Sequence, residues 1–273
     1  MKKATIISFL GVRAKFKQNN LRSLMSLKRV LHVSDCHHPF VNKAAWKILL
    51  DVGKALKPHE IVIHGDFFDF YSVSRHLLDP MMDFKTWKDE MEAARCGLDE
   101  LRETVPHKKL VYIEGNHEKR LIKYIHEKAP KLSGLFKAQE CMGLPEEITY
   151  VPYGQDGKYV IGKLVCVHGS RAGENPAASM VKKFRSSVIF GHTHKIQEYH
   201  IQNAHGEDFV ALNIGWLGNQ RQAADYIQDI SDWTLGFGIT HHKQNGSFFH
   251  QLIQIYVNKG VHECLYKDVV YRK

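Results

Sequence analysis

Five short stretches of this chain carry side chains that hold cations or move protons: "SDCH" (34–37), "GDFFD" (65–69), "GNHE" (115–118), "VHG" (167–169) and "GHTH" (191–194). Carboxylate, imidazole and amide oxygen together suit Mn²⁺, Fe, Zn²⁺ or Ni²⁺ better than a thiolate-seeking ion or Ca²⁺. Taken singly, each stretch has an ordinary explanation. A histidine closing a strand is usually a hydrogen-bonded structural residue, "GD" favours a turn, and Asn116 would cap a following helix. Five in succession, each ending an apolar run, leave those explanations little room.

The apolar runs are the elements that must position these residues. "RVLHVS" (29–34), "EIVIH" (60–64), "KLVYI" (109–113), "KLVCVH" (163–168) and "SVIFGH" (187–192) read as strands. Helical patterns separate them. Ala45, Ile48, Leu49, Val52 and Leu56 share one face behind Asn42, a suitable N-cap. Phe84, Trp87, Met91, Ala94, Leu98 and Leu101 recur every three or four residues. Leu121, Ile122 and Ile125 mark a third helix, and another starts near Pro176. Ligand-bearing loops at the C-terminal ends of strands are where sites form in open α/β sheets. Residues 129–158 show no clear pattern. Beyond 194, "FVALNIG" reads as a strand and "HHKQNGSFFHQLIQIYV" as a hairpin about Asn245-Gly246.

In this order the five stretches resemble the calcineurin-like metallophosphoesterase superfamily, above all its small stand-alone members from bacteria and phages. The resemblance spans residues 34–194. It implies an α/β fold, a four-layer α/β/β/α sandwich forming a single domain with a C-terminal β-hairpin region. It also implies two divalent ions, with Mn²⁺ the best activator. Asp35, His37 and His194 would hold one, Asn116, His168 and His192 the other, and Asp66 would bridge them. A hydroxide between the ions would attack phosphorus in line. His117, oriented by Asp69, would protonate the departing oxygen. On an extended segment His192 and His194 point to one side, whereas a turn aims them at different ions. Arg75, Arg120 and Arg171 lie near ligand loops, where they would bind phosphate oxygens or form surface salt bridges. Cys36 and the aromatic run Phe67, Phe68, Phe70 and Tyr71 read as packing.

Departures from family patterns narrow the subclass. Phe70-Tyr71 stands where Ser/Thr protein phosphatases carry Arg-Gly, and the paired "GHTH" is closer to the nuclease, nucleotide phosphodiesterase and lipid-precursor branches. The expected activity is therefore a phosphodiesterase, nuclease or nucleotide phosphoesterase. The alternatives are a phosphomonoesterase, a protein phosphatase, or a non-catalytic scaffold of the same fold. The substrate would be a phosphoester, nucleotide or nucleic acid.

Composition agrees with a soluble enzyme. Of the 273 residues, 44% are apolar and 25% charged, ordinary for a globular protein with a substantial core. The net charge of +9 invites a nucleic-acid reading, but residues 1–29 hold eight Lys and Arg and no acid. Those aside, 30 basic residues face 29 acidic ones, so the body is near neutral. Five scattered cysteines suit a reducing cytoplasm, and no apolar run nears the roughly 18 residues of a membrane span. Residues 1–24 read as a dispensable basic tail and 25–273 as the phosphoesterase domain, with Met25 just before the first strand.

Overall fold

A computed structural model describes residues 27–74, 86–154, 157–170, 173–219 and 232–273. The basic tail, Arg75, Phe84 and Arg171 lie outside the described residues. The first half contains β1 (Lys28–Val33), α1 (Lys43–Leu56), β2 (Glu60–Ile63), α2 (Trp87–Thr104), β3 (Lys109–Ile113), α3 (Lys119–Lys128), α4 (Ala138–Met142) and β4 (Thr149–Val151). The second contains β5 (Tyr159–Ile161), β6 (Leu164–Cys166), α5 (Pro176–Phe184), β7 (Ser187–Phe190), β8 (Ile196–Gln202) and β9 (Asp208–Ile214). Five strands close the chain: β10 (Gly236–His242), β11 (Phe248–Gln254), β12 (Tyr256–Asn258), β13 (Val261–Tyr266) and β14 (Val269–Arg272).

Two sheets stack face to face. One has the order β11-β10-β1-β2-β3-β4 and the other β5-β6-β7-β9-β8. The strands that bear the site are parallel to their neighbours: β1 to β2, β2 to β3, and β6 to β7. All their C-terminal ends therefore open at one edge of their sheet.

Strand periodicity explains the layering. Leu31, Ile61, Ile63 and Tyr112 face α1 and α2, where they pack on Leu49, Val52, Met91 and Leu98. The alternate residues Val30, Val62 and Val111 face the second sheet and meet Leu164, Cys166, Ile189 and Leu212. On that sheet's far side, Val188 and Phe190 pack on Met180 and Val181 of α5. Successive side chains of one strand thus serve two cores, which is why these strands are apolar without alternation. The result is a four-layer α/β/β/α sandwich.

Local signals hold where tested. Asn42 accepts a hydrogen bond from Ala45 N at 3.0 Å and starts α1. The expected hairpin is β10–β11, with Gly246 at φ 83° in the turn. The C-terminal β region extends further than a hairpin, because β12, β13 and β14 form a small third sheet. Cys264 and Tyr266 of that sheet join the core against α1. Among the described residues no helix is long and apolar enough to cross a membrane.

Candidate metal centre and active site

Five loops meet at the C-terminal ends of β1, β2, β3, β6 and β7. The β1 and β2 loops run side by side, since Asp35 N donates to Gly65 O at 3.1 Å and His37 N to Asp66 O at 2.9 Å. The β6 and β7 loops are joined by Gly191 N donating to His168 O at 2.9 Å. Two glycines permit the close approach. A Cβ on Gly115 would stand 2.1 Å from Asp66 Oδ1, and one on Gly191 would stand 1.7 Å from Ser34 Oγ.

The backbone turns sharply at the functional residues. Asp35, His37, Asp66, His192 and His194 all have positive φ, between 49° and 69°. Each such residue costs about 1–2 kcal/mol relative to the right-handed region, a strain that gathers at functional sites. The turn decides the question left by the His192–His194 spacing. His192 Nδ1 faces His168 Nε2 at 3.2 Å, while His194 Nε2 faces His37 Nε2 at 3.2 Å and Asp35 Oδ1 at 3.3 Å.

Two acceptor clusters result. In the first, Asp35, His37 and His194 converge. His37 Nδ1 donates to the Asp69 carboxylate at 3.0 Å, so its Nε2 lone pair points at His194. In the second, His168 Nδ1 donates to the His64 carbonyl at 2.6 Å. Its Nε2 then faces Asn116 Oδ1 at 2.9 Å, His192 Nδ1 at 3.2 Å and Asp66 Oδ2 at 3.3 Å. The Asp66 carboxylate lies within 4.8 Å of ligand atoms of His37 and His117 on one side, and of His168 and His192 on the other. All seven residues named from the sequence as ligands are thus brought together.

Lone pairs aimed at lone pairs in a buried site call for a cation. Asp35 Oδ1 is buried and has no hydrogen-bond partner among the described residues, an arrangement disfavoured unless something positive sits there. A proton is the simplest such cation. Burial alone would depress the His168 pKa, but the Asp66 carboxylate outweighs it and pushes the pKa up to about 10. Burial raises the Asp35 and Asp66 carboxyl pKa values, yet the histidines facing them hold both below the ordinary range. The donor set fits divalent transition metals.

His117 stands beside the ligands. Its Nδ1 lies 2.9 Å from the Asp69 carbonyl and 3.5 Å from the Asp69 carboxylate, and its Nε2 lies 3.7 Å from Asp66 Oδ2. Burial opposes the imidazolium, but the Asp66 and Asp69 charges outweigh it, so the pKa rises above the usual histidine value. Arg120, the one arginine of the three named from the sequence that is described, donates from Nη2 to His117 Nε2 at 2.8 Å. Its Nη1 reaches the Asp69 carbonyl at 3.1 Å and carboxylate at 3.3 Å.

Glu118 was visible in "GNHE" but carried no assigned role. Fully buried, it accepts from the backbone N–H groups of Asp66, Phe67, Phe68 and Gly115 and from the Tyr112 hydroxyl, at 2.6–3.2 Å. It thereby ties the β2 loop to the β3 loop. Burial, together with the Asp66 charge, pushes its pKa up to about 7 against the pull of those donors.

Sequence comparison decides the family, since the calcineurin-like phosphoesterase profile matches residues 28–229. The chain belongs to the calcineurin-like phosphoesterase family. It is a phosphoester hydrolase, and the family's metal dependence accords with the His/Asp clusters. The Gene 54 protein of Mycobacterium phage L5 is 25% identical over 228 residues, 78% of this chain and 88% of the phage protein. The Gene 54 protein of Mycobacterium phage D29 is 27% identical over the same shares. The backbone is similar to that of a single mutant of Vps29 from Entamoeba histolytica, with a TM-score of 0.40 and 14% identity across 90% of this chain and 97% of that one.

Proposed function

We propose that this phosphoesterase works with two divalent ions, Mn²⁺ the best activator, on phosphodiesters or nucleotide esters. Asp35, His37 and His194 would hold one ion and Asn116, His168 and His192 the other, with Asp66 between the two sets. The single observation that carries this reading is the convergence of carboxylate, imidazole and amide groups of all seven residues beside His117. When bound, such ions supply charge to the phosphoryl oxygens and lower the pKa of the attacking water.

The chain's own residues then have distinct tasks. His117 keeps its Nδ1 proton on Asp69 and turns Nε2 toward the site, as a general acid to the departing oxygen requires. Arg120 and a proton on Nε2 compete for one lone pair. A phosphoester oxygen draws the guanidinium away through its planar fork, and Nε2 is then free to carry the proton. Asp69 is shared between His37 and His117, so it orients a ligand as well as the acid. The protein-phosphatase alternative is weaker, since Phe70, where those enzymes carry arginine, is a fully buried core residue.

We take residues 25–273 as the catalytic domain of a cytoplasmic enzyme. The five cysteines, all free, support that location. Expression from Met25 should retain kcat/KM within about tenfold, and a larger loss in a folded product would mean that the tail contributes.

The test of the acid is His117→Ala, assayed for metal content and kcat. Metal should be retained, and kcat should fall by about 10²–10⁴ on an alkyl phosphoester. The loss should be much smaller on a p-nitrophenyl ester, whose leaving group scarcely needs a proton. Equal losses on both esters, or a lost ion, would refute the role.

A further inference from the structure

A cavity of about 210 Å³ opens directly beside the first cluster, and four of the ten residues that line it are Phe, Tyr or Trp. Its lining includes His37, His194, His117 and Arg120 of the site, together with Phe40, Tyr71, Trp216 and Trp233. Two of these rings, Trp216 and Trp233, also pack against the ligand His194, with centroids 4.9 and 4.2 Å from it.

The tryptophans are set there by the backbone. Trp216 follows β9 and Trp233 precedes β10, and the segments are joined by Trp216 N donating to Thr234 O at 3.2 Å. Thr234 N in turn donates to His194 O at 2.7 Å, fixing both rings relative to the ligand loop. The Trp216 ring lies almost parallel to His194, with centroids 4.9 Å apart and planes at 14°. Trp233 meets Trp216 edge-on at 4.7 Å. Trp216 is buried, whereas Trp233 is only half-buried.

We propose that this cavity seats the leaving group, and that it selects esters whose alcohol carries one flat ring system, as a nucleoside does. Three observations lead there. The proton donor His117 lines the cavity, so the group lodged in it is the one that departs. The walls offer ring faces and edges, and stacking of a base on an aromatic side chain contributes about 1–3 kcal/mol. The volume of about 210 Å³ is below the roughly 300–1,000 Å³ of sites for drug-sized ligands, which leaves room for one ring system. This inference rests on the hydrolytic roles given above to His117 and the ligands.

The experiment compares esters of adenosine with those of glycerol, each as the phosphate monoester and as its methyl diester. Both alcohols leave as alkoxides, so His117 serves them alike and only the ring differs. The Mn²⁺-loaded enzyme should prefer the adenosine ester by at least about tenfold in kcat/KM, as expected for one stacked base. Trp233→Ala should reduce that preference by about 5–150-fold, chiefly through KM. The kcat/KM on the glycerol ester should change far less, and metal content is measured alongside because Trp233 packs on the ligand His194. No preference in the wild type, or an equal loss on both esters with metal retained, would overturn the proposal. If Trp233→Ala sheds metal, Tyr71→Leu on the opposite wall makes the same comparison, and an unchanged preference there refutes it. Should the metal-loaded enzyme hydrolyse no ester, the hydrolytic reading fails separately. Quenching of tryptophan fluorescence by adenosine 5′-monophosphate, absent with glycerol phosphate, would still support the cavity assignment, and its absence would sink it.

Discussion

The Asp69 carboxylate stands 3.0 Å from Nδ1 of His37, nearer than the 3.5 Å that separates it from Nδ1 of His117. One carboxylate therefore orients an ion ligand and the acid together, with the acid held chiefly through the Asp69 carbonyl at 2.9 Å. The His117 and His37 rings meet edge-on, with centroids 4.5 Å apart.

Asp69→Asn should consequently weaken metal binding as well as slow the reaction. Loss of a partner that orients a metal-ligating histidine costs about 10–100-fold in affinity or activity. Isothermal titration of the chelated variant with Mn²⁺ measures the first effect. Wild-type affinity combined with a fall in kcat would confine Asp69 to His117.

Glu118→Ala would leave four backbone N–H groups and a tyrosine hydroxyl without their acceptor. Each buried donor left unpaired costs about 1–3 kcal/mol, so a loss of at least about 3 kcal/mol is expected. Denaturant unfolding of the metal-free protein provides the value. A change within about 0.5 kcal/mol, typical of an exposed site, would show that the two loops hold without it.

Metal loading should depend on pH through His168. In the metal-free protein the His168 pKa is pushed up to about 10 by the Asp66 carboxylate, while the unfolded value is about 6.5. Its contribution to stability is therefore complete below about pH 6.5 and is lost as pH rises toward 10. An arriving ion must displace that proton, so apparent affinity should rise about tenfold per unit between pH 6.5 and 8.5. Proton release on adding Mn²⁺ in dilute buffer measures the exchange. Binding that is flat with pH and releases no proton would contradict it.

Much of this centre is legible in the residue string because each ligand sits two to four residues beyond a strand whose apolar run announces its end. Parallel pairing does the remaining work by opening those ends at one edge. The directions of His192 and His194 were not legible, since positive φ at a histidine leaves no mark in composition. Trp216 and Trp233 drew no reading from the sequence, and only the fold sets them beside His194. Glu118 has a similar history, its acceptor role depending on N–H groups of residues about 50 positions away. Strand β8 went unread because it is largely exposed and polar, "IQEYHIQ", with no apolar run to mark it.

The claim on which the rest depends is that the converging acceptors hold two ions and that hydrolysis requires them. The direct measurement is a Mn²⁺ titration of exhaustively chelated protein, following bound metal by elemental analysis and phosphoester hydrolysis in parallel. Two ions per chain should bind, with hydrolysis absent at the start and complete only as the second site fills; Asp66→Asn should lose both ions and activity together. Full hydrolysis by protein shown to contain no metal, or saturation at a single ion with full activity, would contradict the account.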